Sequence, residues 1–195
     1  MPLVLRFGGA VDPARLRDCL SELAARHESL RTRFVSGDGE PRQVVDPPAA
    51  ARLPVVTLPR PEETGGDDAA GTAEALRRVV AEEVWRPFDL AAGPVWRALL
   101  VRVAPGDHVL VLTVHHIVCD GLSLEILRRE LAALYDGAEL PAPPRVQYAD
   151  FAAWQAGRPV AGPEFDHWRD RLADLTPLEL PTDRPRPATR GPAAR

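Results

Sequence analysis

Two adjacent histidines, His115 and His116, close an apolar run, and Asp120 and Gly121 follow shortly after them. The imidazole is the side chain that most readily gains and loses a proton near neutral pH, so a histidine held by a rigid turn is suited to proton transfer. Histidines and aspartates at the end of a buried strand cost free energy unless they are paired or used. The stretch is therefore the first candidate for an active site, and a pair of satisfied core histidines is the alternative.

The two histidines have different predicted environments. Successive residues of a strand point to opposite faces of a sheet, so one imidazole would turn into the core while the other faces a cleft. The two rings would then not converge on one metal ion, and the remaining histidines, His27, His108 and His167, lack the spacing of metal ligands. We therefore expect no metal site.

Three neighbours of the histidines bear on the chemistry of the stretch. Asp120 lies just past the predicted strand, where its carboxylate can accept hydrogen bonds from backbone amides or pair with a buried cation. Gly121 permits a tight turn or the close approach of another group. Cys119 follows two apolar residues and precedes Asp120, and no motif activates its thiol. Because no evident nucleophile stands beside the histidines, direct transfer between two bound substrates fits better than a covalent enzyme intermediate.

The elements that must position this stretch follow from hydrophobic periodicity and turn residues. Residues 108–116 are the most apolar run and predict a central strand covered on both faces. The other predicted strands span residues 2–7, 32–36, 42–46, 53–58 and 95–103. The predicted helices begin at the caps Asp12, Thr72 and Ser123, with two more at 148–155 and 163–175. Interleaved strands and helices predict an α/β sandwich, a mixed sheet covered by helices.

The composition excludes several classes of function. A chain of 195 residues is long enough for one domain or one lobe of a larger domain. Its net charge of -4 gives no basic surface for nucleic acid or for an anionic membrane. No apolar run approaches the ~20 residues of a membrane-spanning helix, and the N-terminus lacks a signal-peptide pattern. We therefore predict a cytoplasmic protein. Its two cysteines form no disulfide framework, and Cys19 is expected to be a small buried hydrophobe.

Five blocks of the sequence resemble condensation domains of nonribosomal peptide synthetases, and they occur in the order typical of that family. The most specific block is the His-His-x-x-x-Asp-Gly signature at residues 115–121. The other blocks are RHESLRTRF at 26–34, PFDL at 87–90 with Gly93-Pro94, YADFAAWQ at 148–155 and LPTDRPRP at 180–187. Together they span most of residues 2–187.

The resemblance implies a chloramphenicol-acetyltransferase-like fold, in which two similar lobes enclose an active-site tunnel, and this chain resembles the first lobe. By this likeness His116 is the catalytic histidine, which either removes the proton of the acceptor amine or positions the amine as it attacks the donor thioester. His115 and Asp120 would be structural, and Gly121 would shape the tunnel beside the histidine. We expect Arg31 to pair with Asp120 and to hold the turn.

The resemblance also implies the partners. Both substrates would be aminoacyl or peptidyl groups on the phosphopantetheine arms of upstream and downstream peptidyl carrier domains, and no bound cofactor or metal is implied. The tripeptide Leu122-Ser123-Leu124 after the signature resembles peptide-bond-forming members rather than epimerisation members. The aromatic residues Tyr148, Trp154 and Trp168 are expected to pack in the core or against the second lobe.

Two departures from the family pattern limit these expectations. The Ser-x-Ala-Gln-x-Arg motif that usually precedes the first strand is not in the sequence, and neither is a second lobe. We expect residues 1–176 to form the N-terminal lobe, residues 177–195 to be a Pro-rich tail toward the missing second lobe, and the fragment to be inactive or very weak alone. The alternatives are a non-catalytic remnant or interaction lobe, and an acyl-coenzyme A-dependent transferase of the same fold, whose signature lacks the doubled histidine.

Overall fold

The computed structural model of the chain describes residues 1–37, 39–59, 68–158, 162–176, 178 and 180–185. The chain divides into two compact units, Met1–Trp154 and Gln155–Arg195. The described strands are β1 (Pro2–Gly8), β2 (Thr32–Gly37), β3 (Glu40–Val45), β4 (Val55–Thr57), β5 (Trp96–Ala104) and β6 (Asp107–Val114). The described helices are α1 (Pro13–Arg26), α2 (Asp68–Trp85), α3 (Gly121–Tyr135), α4 (Tyr148–Ala156) and α5 (Pro163–Leu172), with a short 3-10 helix over Glu28–Arg31.

A four-stranded mixed sheet forms the centre of the first unit, with the strand order β1-β6-β5-β4. β6 pairs antiparallel with both β1 and β5, whereas β4 pairs parallel with β5. β2 and β3 form a separate antiparallel hairpin. The arrangement confirms the predicted α/β sandwich with helices on a mixed sheet.

β6 is covered on both faces, as its apolar sequence predicts. Leu110, Leu112 and Val114 point into a core that α1 and α3 complete. Val109 and Val111 point to the opposite face and form a second cluster with the apolar side of α2. Since successive strand residues alternate between the faces, a strand of this kind needs apolar side chains at every position.

α1 begins where its sequence predicts. The Asp12 carboxylate accepts hydrogen bonds from the backbone N–H groups of Ala14 (2.8 Å) and Arg15 (3.2 Å), and Pro13 is the first helical residue. Leu16, Leu20 and Leu23 are buried on one side of the helix, because residues three and four apart share a helical face. Cys19 is buried beside them, as predicted.

Several predicted boundaries were wrong, including the starts of two helices and the end of β6. α2 begins at Asp68 rather than at a Thr72 cap, because the alanines before Thr72 are strong helix formers and extend the helix. α3 is capped by Asp120 rather than Ser123. β6 ends at Val114, so neither histidine of the signature lies in the strand.

The second unit contains α5, which ends at Leu172, three residues before the predicted boundary. Arg169 and Arg171 lie exposed in its last turn. Of the predicted tail at 177–195, the described part is residues 178 and 180–185, so the proposed boundary between lobe and tail stays a prediction. Among the described helices, none combines the length and the apolar character that crossing a bilayer requires.

Candidate active site

The signature forms a tight turn between β6 and α3. The backbone N–H of His115 donates to the carbonyl of the fully buried Val95 (2.8 Å), and the N–H of Val118 donates back to the His115 carbonyl (3.2 Å). Cys119 is 5% exposed and anchors the end of the turn in the core formed with α1 and α3. The turn is therefore attached to the core on both sides of His116.

His116 is presented to solvent at the tip of this turn. Its side chain is exposed, and it makes no hydrogen bond within the part of the chain that the structure describes. The exposed Ile117 and Leu122 lie close to it in sequence. A free imidazole on an anchored backbone can accept a proton or a hydrogen bond from a bound group without first breaking an internal contact.

His115 has the opposite environment. Its Nδ1 accepts a hydrogen bond from the backbone N–H of Ile117 at 3.0 Å. The Phe88 ring meets the imidazole at 90°, with the ring centroids 5.8 Å apart. Burial lowers the pKa of His115, because a charged imidazole loses solvation there. The neutral ring thus acts as part of the scaffold.

The turn, rather than strand alternation, separates the two histidines. We expected one ring in the core and the other in a cleft because of the period of a β-strand, but the strand stops before both residues. The N–H of Val118 turns back to His115, and this reversal places His115 half-buried and His116 outside. The two rings do differ in exposure, but His115 is only half-buried, His116 does not line the described cleft, and the expected cause of the difference was wrong.

Of the two contacts expected for Asp120, a backbone amide and a buried cation, the structure shows the first. Its Oδ1 accepts hydrogen bonds from the Ser123 backbone N–H (2.8 Å) and hydroxyl (2.6 Å). These bonds hold the pKa of the Asp120 carboxyl below its ordinary value, because they stabilise the ionised form. The carboxylate caps α3, because it accepts from the Ser123 N–H, one of the first-turn backbone N–H groups that have no partner within the helix.

The expected pair between Arg31 and Asp120 was wrong. The Arg31 guanidinium donates to the Asp46 backbone carbonyl (2.6 Å) and to the Glu28 carboxylate (3.1 Å), while its buried Nε has no partner among the described residues. Both acceptors lie within 15 residues of Arg31 along the chain, whereas the Asp120 carboxylate accepts from Ser123. Arg31 therefore ties the 3-10 helix to the end of β3 instead of holding the signature turn.

Gly121 is the first residue of α3, and no heavy atom lies within 4 Å of the position that a Cβ would occupy. Its backbone does not adopt the left-handed conformation that requires glycine. A need for glycine to form the turn is therefore not supported. The open space next to Gly121 is compatible with the predicted role beside a substrate, which stays a prediction.

The structure gives no support to a covalent role for Cys119. Burial raises the pKa of its thiol, which disfavours the reactive thiolate at neutral pH. Among the described residues, no group of three or more His, Cys, Asp or Glu side chains is arranged to hold a metal ion.

A cleft adjoins the turn on the side of the 3-10 helix. It has a volume of about 100 Å³ and is lined by His27, Ser29, Leu30, Val118, Cys119, Ser123, Ile126 and Leu127. Its lining residue His27 is held by Glu130, whose carboxylate lies 2.6 Å from His27 Nε2 and 3.1 Å from Arg26 Nε. The RHESLRTRF block and the signature are thus neighbours in space.

Sequence reasoning assigned no role to Phe88 and Arg97. The Arg97 guanidinium lies 3.8 Å from the centroid of the Phe88 ring, which in turn contacts His115. The PFDL block was a signal that this segment mattered, but it did not indicate which side chain would meet the histidine turn.

Comparison with known proteins places this geometry in a family. The condensation-domain family model matches residues 1–194. Chondramide synthase cmdD of Chondromyces crocatus is 42% identical over 196 residues, which cover 96% of this chain and 5% of that protein. Phosphinothricin tripeptide synthetase PhsC of Streptomyces viridochromogenes is 43% identical over 194 residues, covering 94% of this chain and 17% of that protein. The chain thus spans a small part of these curated relatives.

A solved structure agrees in fold. The complex of the X-domain and OxyB from teicoplanin biosynthesis superposes with a TM-score of 0.80 and 34% identity, covering 96% of this chain and 41% of that chain. This similarity supports the expected condensation-type lobe. The chain belongs to the condensation-domain family of nonribosomal peptide synthetases.

Proposed function

We propose that this chain supplies the catalytic-histidine lobe of a condensation domain that joins two carrier-bound aminoacyl or peptidyl groups through an amide bond. The observation that carries the proposal is the contrast within the signature. His116 is exposed and unbonded among the described residues, whereas His115 and Asp120 are used within the turn. A structural histidine pair would bury or bond both rings.

The proposed reaction is direct acyl transfer. The acceptor amine attacks the carbonyl carbon of the donor thioester, a C–N bond forms, and the C–S bond breaks. The proton lost by the amine ends on the released phosphopantetheine thiol. No side chain of this lobe is acylated in this scheme, which agrees with the buried, high-pKa thiol of Cys119.

His116 can serve this reaction in two ways. As a general base, it would take the proton from the attacking amine and return it to the leaving sulfur, a contribution of about 10²–10⁴ in rate. As a positioning group, it would accept a hydrogen bond that aligns the amine with the thioester. In both roles His116 touches the reacting atoms, and His115 and Asp120 act through the backbone.

The test uses the full-length gene product that contains these residues, with donor and acceptor carrier domains loaded with aminoacyl phosphopantetheine. We expect His116→Ala to reduce single-turnover amide formation by at least about 10²-fold. His167→Ala, at an exposed histidine of α5, is the matched control and should retain wild-type rates. Amide formation at the wild-type rate by a folded His116→Ala protein would overturn the proposal.

A second substitution separates the two roles. Glutamine keeps a hydrogen-bond acceptor but does not titrate, so His116→Gln should be as slow as His116→Ala if the imidazole is a base. A rate well above that of His116→Ala would instead assign a positioning role.

We propose further that the substrates arrive on the phosphopantetheine arms of upstream and downstream peptidyl carrier domains. Membership of the condensation family favours carrier-bound over coenzyme A-bound acyl groups. Offering the same acyl group on coenzyme A and on a carrier domain tests this choice. Equal rates with both would favour the alternative of a coenzyme A-dependent transferase.

An interaction lobe without catalysis is the second candidate, and an exposed aromatic row favours it. Tyr148, Phe151 and Trp154 follow one another along α4, with ring centroids 6.1 Å and 5.6 Å apart. Their exposed fractions are 56%, 41% and 57%, so they do not belong to the described core. Packing against the second condensation lobe remains our prediction for Tyr148 and Trp154 of this row, as for Trp168. An interaction lobe would show no loss of function in His116→Ala.

We expect the 195-residue chain by itself to form no detectable amide. Its catalytic residue is exposed, and Leu122 beside Gly121 is 77% exposed, so the described residues leave one side of the site open to water. Incubating the purified chain with two loaded carrier proteins checks this expectation. Product above the uncatalysed level would contradict it.

A further inference from the structure

Phe88 lies in the segment after α2 and contacts two side chains at once. Its ring stands perpendicular to the His115 imidazole, with a centroid distance of 5.8 Å. The guanidinium of Arg97 lies 3.8 Å from the centroid of the same ring. A cation at this distance from a ring is attracted to its negative face, so Phe88 is held from one side while it contacts the histidine on another.

Arg97 itself has little freedom to move. It donates to the Glu83 carboxylate (2.9 Å) and to the backbone carbonyls of Glu83 (3.0 Å), Arg86 (2.7 Å) and Pro87 (3.2 Å). The side chains of Arg97 and Glu83 are 15% and 10% exposed. Because these carbonyls lie at and beyond the end of α2, Arg97 attaches the helix end to β5 and fixes the backbone that carries Phe88.

On the other side of the contact, His115 depends on one ring orientation. Nδ1 accepts from the Ile117 N–H, so Nδ1 must be unprotonated and the ring hydrogen must reside on Nε2. A flipped or doubly protonated ring would place a donor against the N–H and lose the bond. Since Ile117 follows His116 directly, this bond constrains the backbone on the carboxyl side of the catalytic residue.

We propose that Phe88, clamped by Arg97, is a positioning residue: it holds the His115 ring in the orientation that bonds Ile117, and thereby fixes the backbone that presents His116. The order of contacts is Glu83, Arg97, Phe88, His115 and Ile117. The effect on amide formation rests on the proposed function, whereas the effect on His115 does not.

The burial of His115 supports this role. Loss of solvation lowers its pKa, and Phe88 supplies an aromatic ring in contact with it. Among the described residues, the other titratable groups that act on His115 are His116 and the amino terminus of the 195-residue chain, and both lower its pKa. Arg97 is directed to the Phe88 ring and to the end of α2. The neutral form that the Ile117 bond needs is therefore the favoured one.

The experiment measures the tautomer of His115 by long-range ¹H–¹⁵N NMR and the exchange rate of the Ile117 amide, both in the 195-residue chain. In the wild-type chain we expect an unprotonated Nδ1, a protonated Nε2 and a protected amide. Phe88→Leu should mix the two tautomers, accelerate Ile117 exchange by about 10-fold and raise the pKa of His115. Phe88→Tyr, which keeps the ring, should restore the wild-type values.

Phe7→Leu is the matched control, because it removes a partly buried ring that packs against Tyr135, 6.2 Å between centroids, and not against His115. An unchanged tautomer and unchanged Ile117 exchange in folded Phe88→Leu would overturn the proposal. Equal changes in Phe7→Leu would also overturn it, since they would indicate general loosening. If Phe88→Leu does not fold, Arg97→Lys replaces it, because lysine lacks the planar group that lies over the ring.

The effect on amide formation is measured in the full-length protein. We expect Phe88→Leu to lower kcat for amide formation by about 10-fold with little change in KM, because the substitution misaligns the backbone of His116 without removing a substrate contact. A wild-type kcat in Phe88→Leu with a disturbed His115 would overturn the link from the ring to catalysis. If the wild-type protein itself forms no amide, the proposed function fails, and the NMR result still decides whether Phe88 positions His115.

Discussion

Asp120 and Ser123 are joined by two hydrogen bonds to a single carboxylate oxygen, one from the backbone N–H at 2.8 Å and one from the hydroxyl at 2.6 Å. Asp120 also carries the backbone carbonyl that accepts from the N–H of Leu124, 3.1 Å away. One residue thus both ends the signature turn and begins α3. The aspartate of the signature has a sufficient physical reason in helix capping alone.

The first prediction concerns this cap. Asp120→Ala should lower the melting temperature of the chain, whereas Asp120→Asn, which keeps an acceptor, should stay near wild type. Because the pKa of Asp120 is lowered from 3.8, its stabilising effect is complete above that value and is lost as the pH falls through the folded-state pKa. Thermal unfolding at pH 7 and pH 3 measures both effects.

Asp18→Ala is the control for this prediction, because Asp18 lies exposed on α1 and, among the described residues, pairs at the surface with Arg17. We expect its melting temperature to remain close to wild type at both pH values. A loss as large as that of Asp120→Ala would show that the capping bonds are not the cause.

The second prediction tests whether Arg31 acts through Glu28, its observed partner, rather than through Asp120. In a double-mutant cycle, the destabilisations by Arg31→Ala and Asp120→Ala should add, since the two side chains share no contact. The effects of Arg31→Ala and Glu28→Ala should not add, with a coupling of about 0.5 kcal/mol, because Arg31 and Glu28 form a partly exposed pair. Urea unfolding of the single and double variants measures both terms. Strong coupling between Arg31 and Asp120 would restore the original expectation.

The third prediction is a pH dependence set by His115. The pKa of this histidine is lowered from 6.5, so below that value the unfolded chain binds more protons than the folded one. The stabilising effect is therefore complete above pH 6.5 and is lost as the pH falls from 6.5 toward the folded-state pKa. We expect the Ile117 amide to exchange faster, relative to other core amides, over this range.

His115→Asn provides the comparison, because the asparagine side-chain oxygen can accept near the position of Nδ1 but does not titrate. Its Ile117 exchange should be independent of this pH window after correction for intrinsic exchange. The same pH dependence in His115→Asn as in wild type would assign the effect to another group.

The fourth prediction concerns Glu130, which joins α3 to the end of α1. Its carboxylate contacts Arg26 and His27, and all three side chains are less than one-fifth exposed, at 17%, 11% and 18%. Glu130→Gln should destabilise the chain by about 2 kcal/mol, less than for a fully buried pair, because it leaves the Arg26 charge poorly compensated. Urea unfolding measures the change.

Glu74→Gln is the matched substitution, since Glu74 pairs with Arg77 at a site where the two side chains are 62% and 71% exposed. It should change the free energy of unfolding by less than about 0.5 kcal/mol. Similar losses in both variants would mean that burial of the Glu130 pair does not matter.

Features that depend on a few consecutive residues could be predicted well. Asp12 and Pro13 begin a helix because a side-chain acceptor and a fixed φ act within one turn of the chain. The alternating placement of Val109 and Leu110 on two covered faces followed from an unbroken apolar run. The family of the chain could also be recognised, because the signature and its companion blocks survive as contiguous sequence.

Features that depend on a partner distant in sequence could not be predicted. β6 ends where its pairing with β5 gives way to the turn: the His115 N–H still donates to the Val95 carbonyl, and the Val118 N–H then donates back to His115. Nothing near the histidines in sequence indicates the bond to Val95. The partners of Arg31 were misassigned because an arginine can reach several carboxylates and carbonyls, and the folded backbone decides which are within range.

His116 was named as the candidate catalytic residue through the family resemblance, whose most specific part is a signature of seven contiguous positions. The surroundings of His115 were decided by the tertiary structure, because the Phe88 ring from the segment after α2 packs against its imidazole and Arg97 of β5 lies over that ring. Short-range bonds can be anticipated from spacing, whereas contacts between remote segments require the coordinates of both.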